Sequence, residues 1–389
     1  MPGSLGAAAR ETQMGPNLLI DKSALQSLSQ RELYKLTHHY NLVTCSVLLI
    51  EILGDLKKNQ PGDGFSTDDV QQLARKLVHT YPCAAQRDLL LGNLFGNLVP
   101  MTGQVPRAGG KRVTYEGEMG IVFGVSPENE AISRWKSGEF SEAEKALADL
   151  WREATRVVDL ERFQCEHKGK IRRFKNLDNL HRFVSFISHP KESAERRSLL
   201  AALLQEFDIP ERAQGLIFEQ WKWAGCPDIQ EFAPYAYYCF KVSLVFKYGV
   251  VTGLITTRRT NQVDLQYLYY APFCQVFCSR DKLHRDLAAV FLRDDQSFVH
   301  GDELKADLQR LVAWYEGLKP EERREREYDY GSRPPFDENS VTHRVWRKHM
   351  RPWTPGSGNR ALKMSKDEQQ AILKKLNAII EAAEKHPST

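Results

Sequence analysis

Residues 263–284 read VDLQYLYYAPFCQVFCSRDKLH. Asp264 opens a helix-like run, an apolar burst follows, and Asp281 stands where the burst stops. A short apolar run bounded by turn residues reads as a buried strand. An acid at either end is a helix cap or turn residue, or else a carboxylate delivered to one edge of a sheet. Two carboxylates on one edge could share a divalent cation. The remaining chain has to separate these meanings.

The N-terminal region repeats the theme. NLLID (17–21) is an apolar strand ending in Asp21, and NLVTCS (41–46) is a second strand candidate. Between them Leu25, Leu28, Leu33 and Leu36 recur at helical spacing, with Ser29 placed to cap a helix. VLLIEILGDLKK (47–58) then reads as a buried helix carrying Glu51. Strand, helix, strand, helix in this order predicts an α/β unit with a parallel sheet. The carboxyl ends of such strands share one edge, and ligands bind in the crevice there. Asp21 and Asp281 face one crevice if their strands are neighbours. Glu51 lies among Val47, Leu48, Leu49, Ile50, Ile52 and Leu53, where an ionised side chain is costly without a cation or partner. The same helix offers a polar stripe with Asp55 and Lys58, and helix geometry does not choose between the two. Four acids near one edge would repel one another without a hard cation, and oxygen donors suit Mg²⁺ or Mn²⁺.

These elements resemble the PIN domain, a metal-dependent nuclease family. LLIDKSAL is similar to its opening strand, VTCSVLLIEIL to its second element, and the 263–284 stretch to its final one. The resemblance implies a PIN-like three-layer α/β fold with a central, mainly parallel sheet. It also implies bound Mg²⁺ or Mn²⁺ and endonucleolytic cleavage of RNA, with DNA as the second substrate. By that resemblance Asp21, Glu51, Asp264 and Asp281 fall on the acidic catalytic and metal-binding positions, and Ser279 falls near a supporting hydroxyl. Lys22 departs from the family, where Thr or Ser is commoner directly after the first Asp. It would either pair with a phosphate or weaken the site.

More than half of the chain separates Glu51 from Asp264, so the expected organisation is discontinuous. Residues 16–60 and 255–318 form the PIN-like domain, 61–254 a mostly helical insertion, and 319–389 a linker, a basic segment and a C-terminal helix. RVTYEG (112–117) and GIVFGV (120–125) read as short paired strands inside the insertion. The insertion is expected to restrict or recruit substrate, or to bind an inhibitory or recruiting protein.

The net charge of +4 permits a nucleic-acid partner without arguing for one. Local clusters argue more. Arg280, Lys282, His284 and Arg285 surround Asp281, and HKGKIRRFK (167–175) holds Lys170, Arg172 and Arg173. Both clusters could contact phosphates or be solvated faces. HRVWRKHMRPW (343–353) interleaves cations with Trp346 and Trp353, which suits stacking on single strands or docking onto the body of the protein. The seven cysteines include no CxxC pair, which disfavours a zinc site built on such pairs. The chain shows no signal-peptide pattern and no run of about 18 apolar residues, so a cytoplasmic protein without membrane contact is expected. Two other functions fit the same residues: a non-catalytic PIN-like module that binds nucleic acid or protein, and a helical interaction protein with no metal site.

Overall fold

The computed structural model describes residues 15–58, 64–107, 110–115, 118–123, 125–327, 333–350 and 365–385. Its strands are β1 (Asn17–Ile20), β2 (Asn41–Thr44), β3 (Thr80–Pro82), β4 (Gly110–Tyr115), β5 (Glu118–Phe123), β6 (Val276–Ser279) and β7 (Ser297–His300). Five of them form one sheet in the order β3-β2-β1-β6-β7, and every neighbouring pair is parallel. Successive strand residues point to opposite faces. In β1 and β6 every residue is buried, so both faces of the sheet centre are covered, as a parallel sheet requires. The protein is therefore an α/β fold with helices packed around a parallel sheet.

The order reverses at β1. The chain builds β2 and β3 to one side, then returns to place β6 and β7 on the other. The junction of β1 and β6 is thus the topological switch point, outside whose carboxyl edge ligands bind in such sheets. Ile20 is level with Cys278, and the Asp21 amide donates to the Cys278 carbonyl at 3.1 Å. That register sets Asp21 beside Ser279 at the edge.

Two strands differ from the sequence expectation. β3 lies inside the 61–254 stretch expected as insertion, so the sheet draws on that segment and the interrupting block begins after it. With three residues, β3 is too short to show alternation, and its Pro82 is tolerated because β3 is an edge strand. β7 reads SFVH, is only partly buried, and gave no apolar run to recognise. The expected pair inside the block is present: β4 and β5 form an antiparallel two-stranded sheet.

The helical block is organised on Pro234–Thr252, which buries Tyr235, Phe240, Val245, Phe246 and Val250 among surrounding helices. Helices Gln86–Leu94, Leu160–His167 and Leu177–Ile187 pack against it. Gly253 ends it in the left-handed conformation at φ 78°, a position glycine fills without strain. The chain then runs directly into helix Asn261–Leu268, which carries Asp264. The largest helix of the block therefore hands the chain to the sheet edge.

At the other end of the chain, buried Asp307 accepts from Ser340 Oγ at 2.8 Å and from the Thr342 amide at 2.7 Å. These bonds pin helix Val341–His349 to helix Gly301–Gly317. Trp346 is 3% exposed, so it docks into the protein and is not available for base stacking. Trp353 and Arg351 lie outside the described residues. Among the described residues, no helix is long and apolar enough to cross a membrane.

Candidate active site

The site is assembled by helix starts at strand ends. Asp21 follows β1 and caps helix Lys22–Ser27, its Oδ1 accepting from the Ala24 amide at 2.8 Å. Its Oδ2 accepts from Ser23 Oγ and from Ser279 Oγ, both at 2.8 Å. Asp281 caps helix Lys282–Phe291, with Oδ1 accepting from the Leu283 amide at 2.7 Å. Both acids are helix caps, then, and both stand at the carboxyl edge. The Asp281 amide donates to Ser279 Oγ at 2.9 Å, so a single hydroxyl touches both acidic segments. Ser279 thus ties the segment bearing Asp21 to the segment bearing Asp281.

His284 completes this corner. Its side chain is fully buried, with Nε2 2.6 Å from the Asp264 carbonyl oxygen and Nδ1 2.7 Å from Ser279 Oγ. A carbonyl oxygen only accepts, so Nε2 carries a hydrogen. If Ser279 donates its one proton to Asp21, Nδ1 must donate to Ser279, and the ring is an imidazolium. The electrostatics agree. Burial would push the imidazole down, but hydrogen bonding and attraction to Asp21, then Asp264, hold its pKa above the usual value. Burial would push Asp21 up, but His284, the Ala24 amide and Ser23 hold it below the usual carboxylate range. Nδ1 lies 3.5 Å from Asp21 Oδ2, a buried ion pair relayed by a serine.

The second corner lacks this compensation. Asp264 sits in the first turn of helix Asn261–Leu268, and its Oδ2 is buried with no hydrogen-bond donor among the described residues. Its pKa is pushed up to about 7, by burial first and then by Asp281 and Glu51, against the pull of His284 and Arg258. Glu51 turns inward from helix Ser46–Leu53 and accepts from Tyr267 Oη at 2.5 Å through Oε2. Burial raises its pKa, Tyr267 and Lys22 oppose that, and Asp21 adds to it. Among the described residues, the charged contact of Asp281 to a basic side chain is a long 3.5 Å one to Arg258.

Asp21, Glu51, Asp264 and Asp281 thus lie within one another's electrostatic reach. Among the described residues, however, no three His, Cys, Asp or Glu side chains stand close enough to hold a metal ion. The fit to Mg²⁺ or Mn²⁺ is one of donor type and charge: all donors are oxygens, and Asp264 Oδ2 is buried without a partner. Asp21 already accepts three protein hydrogen bonds, leaving open one of its roughly four lone-pair sites, on Oδ1.

Lys22 points away from the Asp21 carboxylate. Its ammonium donates to the Glu51 carbonyl at 2.8 Å and pairs with Asp55 at 2.8 Å. The surface cations near Asp281 are also engaged: Arg280 pairs with Asp302 at 2.8 Å, and Lys282 and Arg285 each approach Asp286 at 3.5 Å. Lys170, Arg172 and Arg173 are exposed on the helical block.

Sequence reasoning missed Tyr267 as a site residue and took His284 for a surface cation. A signal was present: each lies three residues beyond an acid, Asp264 or Asp281, where a helix brings side chains to one face. Comparison with known proteins gives no match: no family model, no curated protein and no solved structure matches the chain.

Proposed function

We propose that the protein is a metal-dependent phosphodiesterase, an endonuclease acting on RNA before DNA, with a PIN-like arrangement of acids. The observation that carries this reading is Asp264. A buried carboxylate oxygen without a donor among the described residues, its pKa raised by burial first and then by two further carboxylates, stands at the switch-point edge of a parallel sheet. Such a group is relieved by a proton or by a hard cation, and only the cation makes use of Asp281 and Glu51 as well.

Asp264 and Asp281, with Glu51 or the open site on Asp21, would hold Mg²⁺ or Mn²⁺. When bound, the ion supplies a water of lowered pKa and charge stabilisation at the leaving oxygen. Glu51 has a raised pKa and an Oε1 that Tyr267 leaves open, which suits it to accept a proton from an attacking water. Ser279 and His284 fix the segments bearing Asp21, Asp264 and Asp281 relative to one another, so the acids keep their spacing through a reaction cycle.

The second reading is a non-catalytic PIN-like binding module. The imidazolium beside Asp21 favours it, because one cation already compensates that corner. Incubating the purified protein with labelled single-stranded RNA, structured RNA, single-stranded DNA and duplex DNA, with Mn²⁺ or with EDTA, separates the two. The nuclease reading expects Mn²⁺-dependent cleavage that Asp264→Asn and Asp281→Asn each reduce by orders of magnitude. Intact substrates throughout would leave the binding module.

A further inference from the structure

The helical block carries a run of exposed cations on the segment between helices Leu160–His167 and Leu177–Ile187. Helix Leu177–Ile187 packs against Pro234–Thr252 with opposite direction: His189, just past its end, meets Tyr237, whereas His181 feels the charge of Lys241 further along. Helix Lys282–Phe291 packs the same way, with Phe291 against Tyr238 and against His181. Helix Leu177–Ile187 therefore lies beside helix Lys282–Phe291, its second turn against the last residue of that helix. The loop before it, residues 168–176, therefore starts and ends beside the Lys241–Thr252 half of helix Pro234–Thr252. Its other flank is fixed at that end too, because Gln164 donates to the Val250 carbonyl at 2.6 Å, close to where the chain leaves for Arg258 and Asp264.

Lys168, Lys170, Arg172, Arg173 and Lys175 are all exposed on this loop. None of them forms an ion pair among the described residues, in contrast to Arg280, Lys282 and Arg285 beside Asp281. The Arg172 guanidinium lies over Phe174 at 5.1 Å and Phe183 at 4.5 Å, which gives the loop a fixed planar cation at its centre. Exposed cations along one segment suit the phosphates of a flexible strand, and a guanidinium held on aromatic rings is a platform for an unstacked base.

We propose that loop 168–175 is a binding track for single-stranded nucleic acid, holding its phosphates and one base while the strand passes into the sheet-edge site. The entry into that site rests on the nuclease reading; binding to the loop does not. The track assigns the helical block to substrate capture and does not require a protein partner there.

Binding and cleavage are measured separately. Fluorescence anisotropy with a labelled oligouridylate of about 20 nucleotides, in EDTA, reads the track alone, and the salt dependence counts phosphate contacts at about 0.7 each for a single strand. The Lys168→Glu/Lys170→Glu/Arg173→Glu variant leaves the Arg172 stack in place, and its circular dichroism and Tm confirm folding. At least tenfold weaker binding is expected, with the log–log salt slope smaller by about 2. Equal binding by the charge-reversed and parent proteins would overturn the track, as would no binding by the parent or equal affinity for a polyglutamate of the same length. Loss of Mn²⁺-dependent cleavage with intact binding would instead remove the nuclease reading and leave the track standing.

Discussion

Asp21 and Asp264 stand at one sheet edge, linked through a single imidazole ring, yet they meet opposite fates. Asp21 is 3% exposed and ionised, with three hydrogen bonds and a cationic ring beside it. Asp264 is more exposed as a residue, but its Oδ2 has no donor and its pKa is pushed up to about 7. Depth of burial therefore does not order the two carboxylates. What orders them is which received fixed donors: the β1 end supplies an amide and two hydroxyls, whereas Asp264 receives neighbouring acids. The imbalance leaves Asp21 anchored by its donors and Asp264 the unsatisfied acid of the two.

The largest effect comes from breaking the satisfied corner. Removing one partner of a buried ion pair costs about 3–5 kcal/mol, because the other charge is left uncompensated. His284→Ala should lower stability by that order, measured by urea denaturation. The pH dependence identifies the cause. His284 has a raised pKa, so its contribution is full below its ordinary 6.5 and fades as pH rises through the folded value. Asp21 has a depressed pKa, so its contribution is full above 3.8 and is lost as pH falls through the folded value. The gap between parent and His284→Ala should accordingly be widest between these values. A gap independent of pH would mean that lost packing, not charge, is responsible.

Asp264→Asn tests the other corner and should act in the opposite direction. A raised pKa favours the protonated form in the fold, so the stability it confers is present below 3.8 and lost as pH rises through about 7. At pH 8, without metal, the variant should be more stable than the parent, by at most about 4 kcal/mol for a shift of roughly three units. The gain should vanish near pH 4. A variant no more stable than the parent at pH 8 would show that the corner is not strained.

How much of this was legible before the structure depends on the kind of signal. β1 and β6 showed as apolar runs ending in acids and β2 as a further apolar run, and the register of Asp21 with Ser279 follows once β1 and β6 are neighbours. β3 and β7 were illegible because edge strands are short and half-solvated, and without full burial there is no uniform apolar run. Four acids and a hydroxyl could be named from position alone. Their inequality could not, because it depends on His284 crossing from its helix to the Asp264 carbonyl, a tertiary contact with no local mark. Lys22 shows the same limit: adjacency to Asp21 suggested a role at the metal, but its side chain leaves along another helix.

Metal addition comes next in size. A ligand that binds only the folded state at 100 times its Kd stabilises by about 2.7 kcal/mol. Mn²⁺ should raise the Tm of the parent at pH 8 and leave Asp264→Asn nearly unmoved, while Asp21→Asn should retain part of the response if Asp21 is chiefly the anchor. An equal loss in both variants would erase the distinction between the corners.

The smallest effect, and the sharpest test of the divide, concerns Lys22. Its ammonium joins helix Lys22–Ser27 to the Glu51 carbonyl and to Asp55, with its side chain 17% exposed and that of Asp55 6% exposed. Lys22→Met keeps most of the stem volume and removes the charge, so the cost should be about 1.5 kcal/mol, the low end for a hydrogen bond to a charged group. A second consequence is specific to the site. Lys22 holds the Glu51 pKa down against burial, so its loss should raise that pKa further. If Glu51 accepts the proton of the attacking water, the acid limb of the cleavage pH profile should move upward in Lys22→Met, with the plateau rate at high pH little changed. Because the ammonium does not touch Asp21 or Asp264, Mn²⁺ affinity should stay close to that of the parent. Tighter Mn²⁺ binding in Lys22→Met would show instead that the lysine competes with the ion, and the boundary between an anchored corner and an open one would have to be redrawn to include it.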